Sequence, residues 1–290
     1  MTAIETDREA QRKKRLGEIQ IAGMSPHQSI YKYISLSTNK SWDLFEKTLF
    51  NKQLFGSTIN SLNDPFEGRP RFVNDLTENR FEECCKYFDK SGSLCDARDR
   101  KKLGDRHQFA LEIESKTRAL CERIRIVSFC RRSDSPLLWS HYANSHQGAC
   151  IHFTANAFRN SEYTKGAVLY ERHRPVVPLS LPGSIIAASG NQYTDDRIAL
   201  RRELFELLFY TKPLDWAYEE EVRFIYSTSQ HKQIEFDESG LIEIIIGAKC
   251  KGDDEKRMCE MTDKSGMNVK LRKAYIDEDT FSVGIKELGG

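Results

Sequence analysis

The chain has no C-x-x-C pair, no G-x-x-x-x-G-K-[ST], no G-x-G-x-x-G and no G-x-S-x-G. These absences argue against paired-cysteine metal sites, P-loop NTPases, Rossmann dehydrogenases and α/β-hydrolases. There is no long apolar run either. The longest, around Leu241 to Ala248, is too short to span a bilayer. The segment from Met1 to Gly23 is charged and lacks the apolar stretch of a secretory signal. A net charge of +1 gives no overall basicity that would demand nucleic acid, although a local basic groove remains open. The eight cysteines form no disulfide framework of even spacing, and Cys130 and Cys150 lie inside apolar runs. They read as reduced, partly buried thiols of a cytoplasmic protein. What is present is ordinary globular composition: 290 residues, 30% charged and 39% hydrophobic, enough to bury a core unaided.

Periodicity divides the chain into a charged arm over 1–26 and a folded body over 27–290. Strands are expected at Ile30–Ser35, Gln53–Ile59, Arg125–Cys130, Ala149–Phe153, Ala167–Tyr170, Val222–Ser227, Gln233–Phe236, Leu241–Ile246, Asn268–Ile276 and Phe281–Ile285. Helices are expected at Ser41–Phe50, 74–90, 105–124, from Asp195 or Asp196 to about Tyr210, and at Lys251–Asp263. The Pro-, Ser- and Gly-containing stretch 175–194 reads as a loop, a candidate lid or linker. The order is mixed, with strands concentrated after the middle, so the fold class is α+β with a split or sandwiched β-core and helical insertions.

Polar clusters beside apolar strands point to a site, because buried polar groups cost free energy unless they are paired. Glu219, Glu220 and Glu221 precede Arg223 at the mouth of a strand. As alternate residues, Glu219, Glu221 and Arg223 are expected on one face. There the carboxylates can act as general base or stabilise developing positive charge, or simply pair with Arg223 at a strand edge. Leu138-Trp-Ser-His-Tyr-Ala143 offers a stacking surface in Trp139 and Tyr142 and a titratable group in His141. Its bland alternative is a core tryptophan with a capping histidine. His141, His146 and His152 match no tight metal-ligand spacing, so no metal site is expected. Asn63, Asp64 and Glu67 form a polar turn after a strand, which either lines the same pocket or serves only as a cap and turn. Lys32 lies between Tyr31 and Tyr33, as an exposed edge residue or as a cation for phosphate.

The series Tyr31-Lys-Tyr33, Asn63-Asp-Pro-Phe-Glu67, Leu138-Trp-Ser-His-Tyr-Ala143, Trp216-x-Tyr-Glu-x-Glu-Val-Arg223 and Ile244-Ile-Ile-Gly247 resembles a bacterial domain-of-unknown-function family often found in phage-defence loci. More distantly, the layout is similar to the ADP-ribosyltransferase toxin fold. There an early strand anchors NAD through His or Arg, a second strand carries Ser, Thr or Tyr, and a later strand opens with the catalytic Glu. By that resemblance Tyr31-Lys-Tyr33 stands at the first motif, with Lys32 where His or Arg is usual. Ser57 stands at the second and Glu219-x-Glu221 at the third.

The resemblance implies an NAD-consuming transferase acting as an intracellular toxin or antiphage effector. Tyr31, Lys32, Tyr33, Ser57, Asn63, Asp64 and Arg223 would hold NAD, and Trp139, His141 and Tyr142 would wall the pocket. Glu221 would stabilise charge as nicotinamide leaves, and Glu219 would position or deprotonate the acceptor. That acceptor is a protein or a nucleic acid, the latter reached through Arg131, Arg132, Arg172 and Arg174. A neutralising antitoxin would be a partner, and no membrane is expected. The rival expectations are a metal-dependent nuclease or hydrolase using Asp64, His141, Glu219 and Glu221, and a nucleotide sensor without turnover.

Overall fold

The computed structural model describes residues 27–79, 81–82, 106–158, 163–187, 195–228 and 233–288. The expected arm 1–26, most of the helix expected over 74–90, and Cys84, Cys85 and Cys95 lie outside them. In chain order the first elements are β1 (Ser29–Ile34), α1 (Asn39–Asn51), β2 (Gln53–Leu54), β3 (Arg71–Val73), α2 (Arg106–Glu122), β4 (Ile124–Phe129), α3 (Pro136–Tyr142) and β5 (Ala149–Thr154). Next come β6 (Thr164–Ala167), β7 (Leu169–Glu171), β8 (Val176–Pro178), α4 (Ser180–Ala187), α5 (Asp195–Phe209) and β9 (Thr211–Pro213). The chain continues with β10 (Val222–Ser227), β11 (Ile234–Glu235), β12 (Leu241–Ile246), α6 (Gly252–Ser265), β13 (Lys270–Ile276) and β14 (Val283–Glu287). The class is α+β.

The chain gathers into two compact units. One unit comprises Met1–Ser57, Arg125–Val168 and Ala217–Gly290, the other Thr58–Ile124 and Leu169–Trp216.

The first unit holds a five-stranded sheet, β1-β5-β12-β13-β14, and a three-stranded sheet, β4-β10-β6. Alternation decides how β1 sits. Ile30 and Ile34 pack with Ile151, Phe153, Ile244 and Ile246 in the larger core. Tyr31 and Tyr33 pack with Trp139, Cys150 and Ile245 in a second cluster. Both faces of the strand are therefore covered, and Lys32 shares a face with the isoleucines. α1 lays Trp42, Phe45, Thr48 and Leu49 on the core at helical spacing. Its cap is Thr38 rather than the expected Ser41. Ser41 sits three positions on and closes a reciprocal capping box with Thr38.

The two sheets meet where Tyr31 and Cys130 exchange backbone hydrogen bonds of 2.9 Å each way. Further along the same edge of β4, Ser57 and Ile126 exchange another such pair. The strand expected over Gln53–Ile59 thus shrinks to β2 plus this bridge. Gly56 permits the approach, because a Cβ there would meet Arg125 Cβ at 2.8 Å. Between the two contacts, the Ser128 carbonyl accepts a hydrogen bond from Lys32 Nζ at 3.3 Å.

The second unit holds two parallel pairs, β3–β8 and β7–β9, with α2, α4 and α5. Its core gathers Leu76, Phe109, Ala110, Ile113 and Leu179. The loop expected over 175–194 is corrected over its first half, which carries β8 and α4. Val176 and Val177 pair with Arg71 and Phe72, and Asp75 accepts hydrogen bonds from the Ser180 N–H and hydroxyl at the start of α4. Pro182 falls in the first turn of that helix, where a missing N–H costs nothing.

Candidate functional site

The carboxylates at the mouth of β10 are placed by a kink. Residues 214–219 form a 3₁₀ helix, and Glu220 adopts a left-handed φ of 46° before β10 begins. The kink turns both neighbours inward: Glu219 is 4% exposed and Glu221 5%. The three alternate residues expected on one strand face therefore reduce to two. Glu221 and Arg223 share the face, whereas Glu219 ends the 3₁₀ helix. Arg223, 1% exposed, donates from Nε and Nη2 to the two Glu221 oxygens, each at 2.8 Å. This is a fork-on-carboxylate pair, the strongest form of charged hydrogen bonding.

The Tyr142 hydroxyl donates to Glu219 Oε1 at 2.6 Å. Tyr142 is the last residue of α3, which starts at a Ser135 cap with Pro136 in its first turn. After α3 the backbone makes three successive left-handed residues, Asn144, Ser145 and His146, with φ of 48°, 53° and 70°. Gly247 fits against that turn. A Cβ on Gly247 would meet the His146 carbonyl at 2.2 Å. His141 is exposed, with its ring 6.3 Å from that of Tyr142 and 6.5 Å from that of Tyr218. Arg132 Nη1 reaches Glu220 at 3.9 Å. The result is an aromatic rim beside two buried carboxylates.

Lys32 lies within electrostatic reach of this cluster. Burial lowers its pKa to about 8, opposed by the Cys130 thiol and by Glu221. Its Nζ stands 5.7 Å from the centre of the Phe129 ring. Burial in turn pushes the Cys130 thiol up to about 12.

Several expected members go elsewhere. Tyr31 stacks on His152 at 4.5 Å between ring centres, on the face of β1 opposite to Lys32, so these two residues do not line one pocket together. Tyr33 packs edge-on against Trp139 at 5.1 Å and donates to the Arg132 carbonyl at 3.1 Å. Trp139 is 0% exposed, and its indole N–H donates to the Ser133 carbonyl at 2.7 Å. It is a core residue under the rim and presents no face to a ligand, which corrects its expected role as a pocket wall. Ser57 is exposed and bridged to β4 through its backbone. Asn63 and Asp64 belong to the second unit. Arg131 and Arg132 lie in the first unit, Arg172 and Arg174 in the second, and all four are exposed. Among the described residues no three His, Cys, Asp or Glu side chains are arranged to hold a metal ion.

Sequence reasoning misses the pairing of Glu67 with Lys212. In the second unit Lys212 Nζ lies 3.1 Å from Glu67 Oε1 with both side chains almost wholly buried, and it stands 4.7 Å from the centre of the Trp216 ring. Trp216 four residues after Lys212, and Glu67 within the polar turn, were the available signals.

Residues 138–224 match the model of a family described as a protein of unknown function, DUF2971. The match runs from α3 into β10 and takes in Trp139, His141, Tyr142, Glu219, Glu221 and Arg223. It agrees with the resemblance to a domain-of-unknown-function family. Neither a search of curated proteins nor one of solved structures finds a significant match. Among the described residues no helix is long and apolar enough to cross a membrane.

Proposed function

We propose that this chain is an NAD-consuming ADP-ribosyltransferase, acting as a cytoplasmic toxin or antiphage effector on a nucleic-acid or protein acceptor. The observation that carries the reading is the buried carboxylate pair, Glu219 and Glu221, beside the His141–Tyr142–Tyr218 rim. In the proposed mechanism the bond between nicotinamide nitrogen and ribose carbon breaks, and positive charge grows on the ribose. Glu221, oriented by the Arg223 fork, bonds the ribose hydroxyl and stabilises that charge. Glu219, held by Tyr142, receives the proton from the acceptor as the new bond forms. The rim, with His141 exposed and the two tyrosines half-buried, stacks the departing ring.

One observation favours a second reading, a nucleotide-binding module without turnover. Both Glu221 oxygens already meet Arg223, so the local charge is largely compensated. The metal-dependent hydrolase draws no ligand set from the described residues.

The test is nicotinamide release and adduct formation with NAD and host lysate or nucleic acid, followed by mass spectrometry. Glu221→Gln and Glu219→Gln should each lower release by about 10²–10³-fold with circular dichroism unchanged. Saturable NAD binding without release would replace the transferase by the binding module, and neither binding nor release in folded protein would end both.

A further inference from the structure

A second row of polar side chains crosses the five-stranded sheet of the first unit, independent of the proposed NAD chemistry. Ser29 on β1, His152 on β5 and Glu243 on β12 lie side by side. His152 Nε2 is 2.9 Å from Ser29 Oγ, and His152 Nδ1 is 3.2 Å from Glu243 Oε1. The register produces this order. His152 pairs directly with Tyr31 on one side and with Glu243 on the other, and Ser29 is two residues from Tyr31 on the same face. A register shift between Leu241 and Glu243 brings Glu243 opposite His152. Such bulges re-aim side chains and recur next to active sites.

We infer that Ser29, His152 and Glu243 form a nucleophile–base–orienter site for acyl esters, a hydrolytic activity separate from the rim at β10. The tautomer follows from the partners. A carboxylate only accepts, so Nδ1 carries the proton toward Glu243 and Nε2 accepts from the Ser29 hydroxyl. That is the arrangement in which imidazole can take the serine proton. Burial lowers the His152 pKa, with Glu243 opposing, which favours the neutral base. Arg272 Nη1 stands 3.7 Å from Glu243 Oε2. The Tyr31 ring stacks on His152 at 4.5 Å between ring centres and covers one side of the imidazole. The His152 side chain keeps 14% exposure and Ser29 is only partly buried, so the pair is not sealed in the core.

In the reaction Ser29 Oγ bonds the ester carbonyl carbon as its proton passes to His152 Nε2. The carbon–oxygen bond to the alcohol then breaks, and the alcohol leaves with that proton. Water attacks the acyl-serine by the same route, which releases the acid and restores the Ser29 hydroxyl. Ser29 and His152 touch the reacting atoms, whereas Glu243 is a positioning residue.

The test is labelling of the full-length chain by a fluorophosphonate probe, in which the serine oxygen displaces fluoride, read by intact mass and peptide mapping. The expected result is one adduct on Ser29, absent from Ser29→Ala and at least about 100-fold slower in His152→Gln. Glu243→Gln should slow labelling and displace its pH profile, which a merely structural carboxylate would not do. If His152→Gln fails to fold, Ser29→Cys serves instead. The thiol it introduces should be alkylated by iodoacetamide at neutral pH well ahead of the native cysteines. A folded chain that labels no faster than Ser29→Ala, or an introduced thiol of ordinary reactivity, would overturn the assignment.

Discussion

Among the described residues each unit buries an ion pair, and the two pairs are built differently. Glu221 follows the kink at Glu220 and lies two residues before Arg223 of β10, so their contact is local, and the planar guanidinium holds both carboxylate oxygens. Glu67 and Lys212 come from a turn and a distant strand. Their contact is a compact ammonium against one oxygen at 3.1 Å, with the Trp216 ring on another side. The first pair fixes the orientation of a carboxylate, as chemistry at that carboxylate requires. The second ties the Asn63–Glu67 turn to β9 and asks only for charge.

The largest effect is expected from removing either buried cation. Arg223→Met and Lys212→Met should each cost about 3–5 kcal/mol in urea unfolding, while the double replacements Glu221→Leu/Arg223→Met and Glu67→Leu/Lys212→Met should cost much less. A single replacement that proves nearly silent in one unit would show that its carboxylate finds other partners, and the comparison would break there.

A smaller and pH-dependent effect sharpens the contrast with a third cation, Lys32. Its folded pKa is lowered to about 8 from an ordinary 10.5, so the unfolded chain binds more protons between those values. Its burial therefore weakens the fold below about pH 8, and stability recovers as pH rises toward 10.5. Lys32→Met should remove this rise, measured as the difference between unfolding midpoints at about pH 7.5 and pH 9.5. An unchanged difference would place the ammonium in water.

The smallest effect is expected at Glu220, whose φ of 46° suits glycine. Glu220→Gly should leave stability unchanged or raise it by about 1 kcal/mol, because the strain it relieves offsets the added freedom of the unfolded chain. A loss above that would show that the Arg132 contact matters more than the backbone.

Most strands of the first unit's two sheets are legible because apolar periodicity survives burial on both faces. β1, β4, β5, β10 and β12 all lie within a residue or two of their expected bounds. The first half of the stretch 175–194 hides its strand because Pro, Ser and Gly signal loops, and only the pairing of Val176 and Val177 with β3 reveals it. The carboxylates were found from their density, but the kink at Glu220 leaves no trace in residue type. The place of Trp139 is hidden for the opposite reason, since an aromatic in a polar cluster looks alike whether it faces a ligand or the core. Ser29, His152 and Glu243 carry no local pattern, because they meet only through strand register.

The left-handed turn Asn144–His146 has a consequence for the order of folding. Its residues are close in sequence, yet the turn is clamped by Gly247, which donates to the Gly148 carbonyl at 2.8 Å, and by Lys249, which donates to the His146 carbonyl at 2.9 Å. Both clamps come from the end of β12. Local contacts can shape α3 early, but the segment that sets Tyr142 against Glu219 acquires its final form only after a strand far along the chain has joined the sheet. A chain stopped before β12 lacks both clamps, even where the residues of the rim itself are all present.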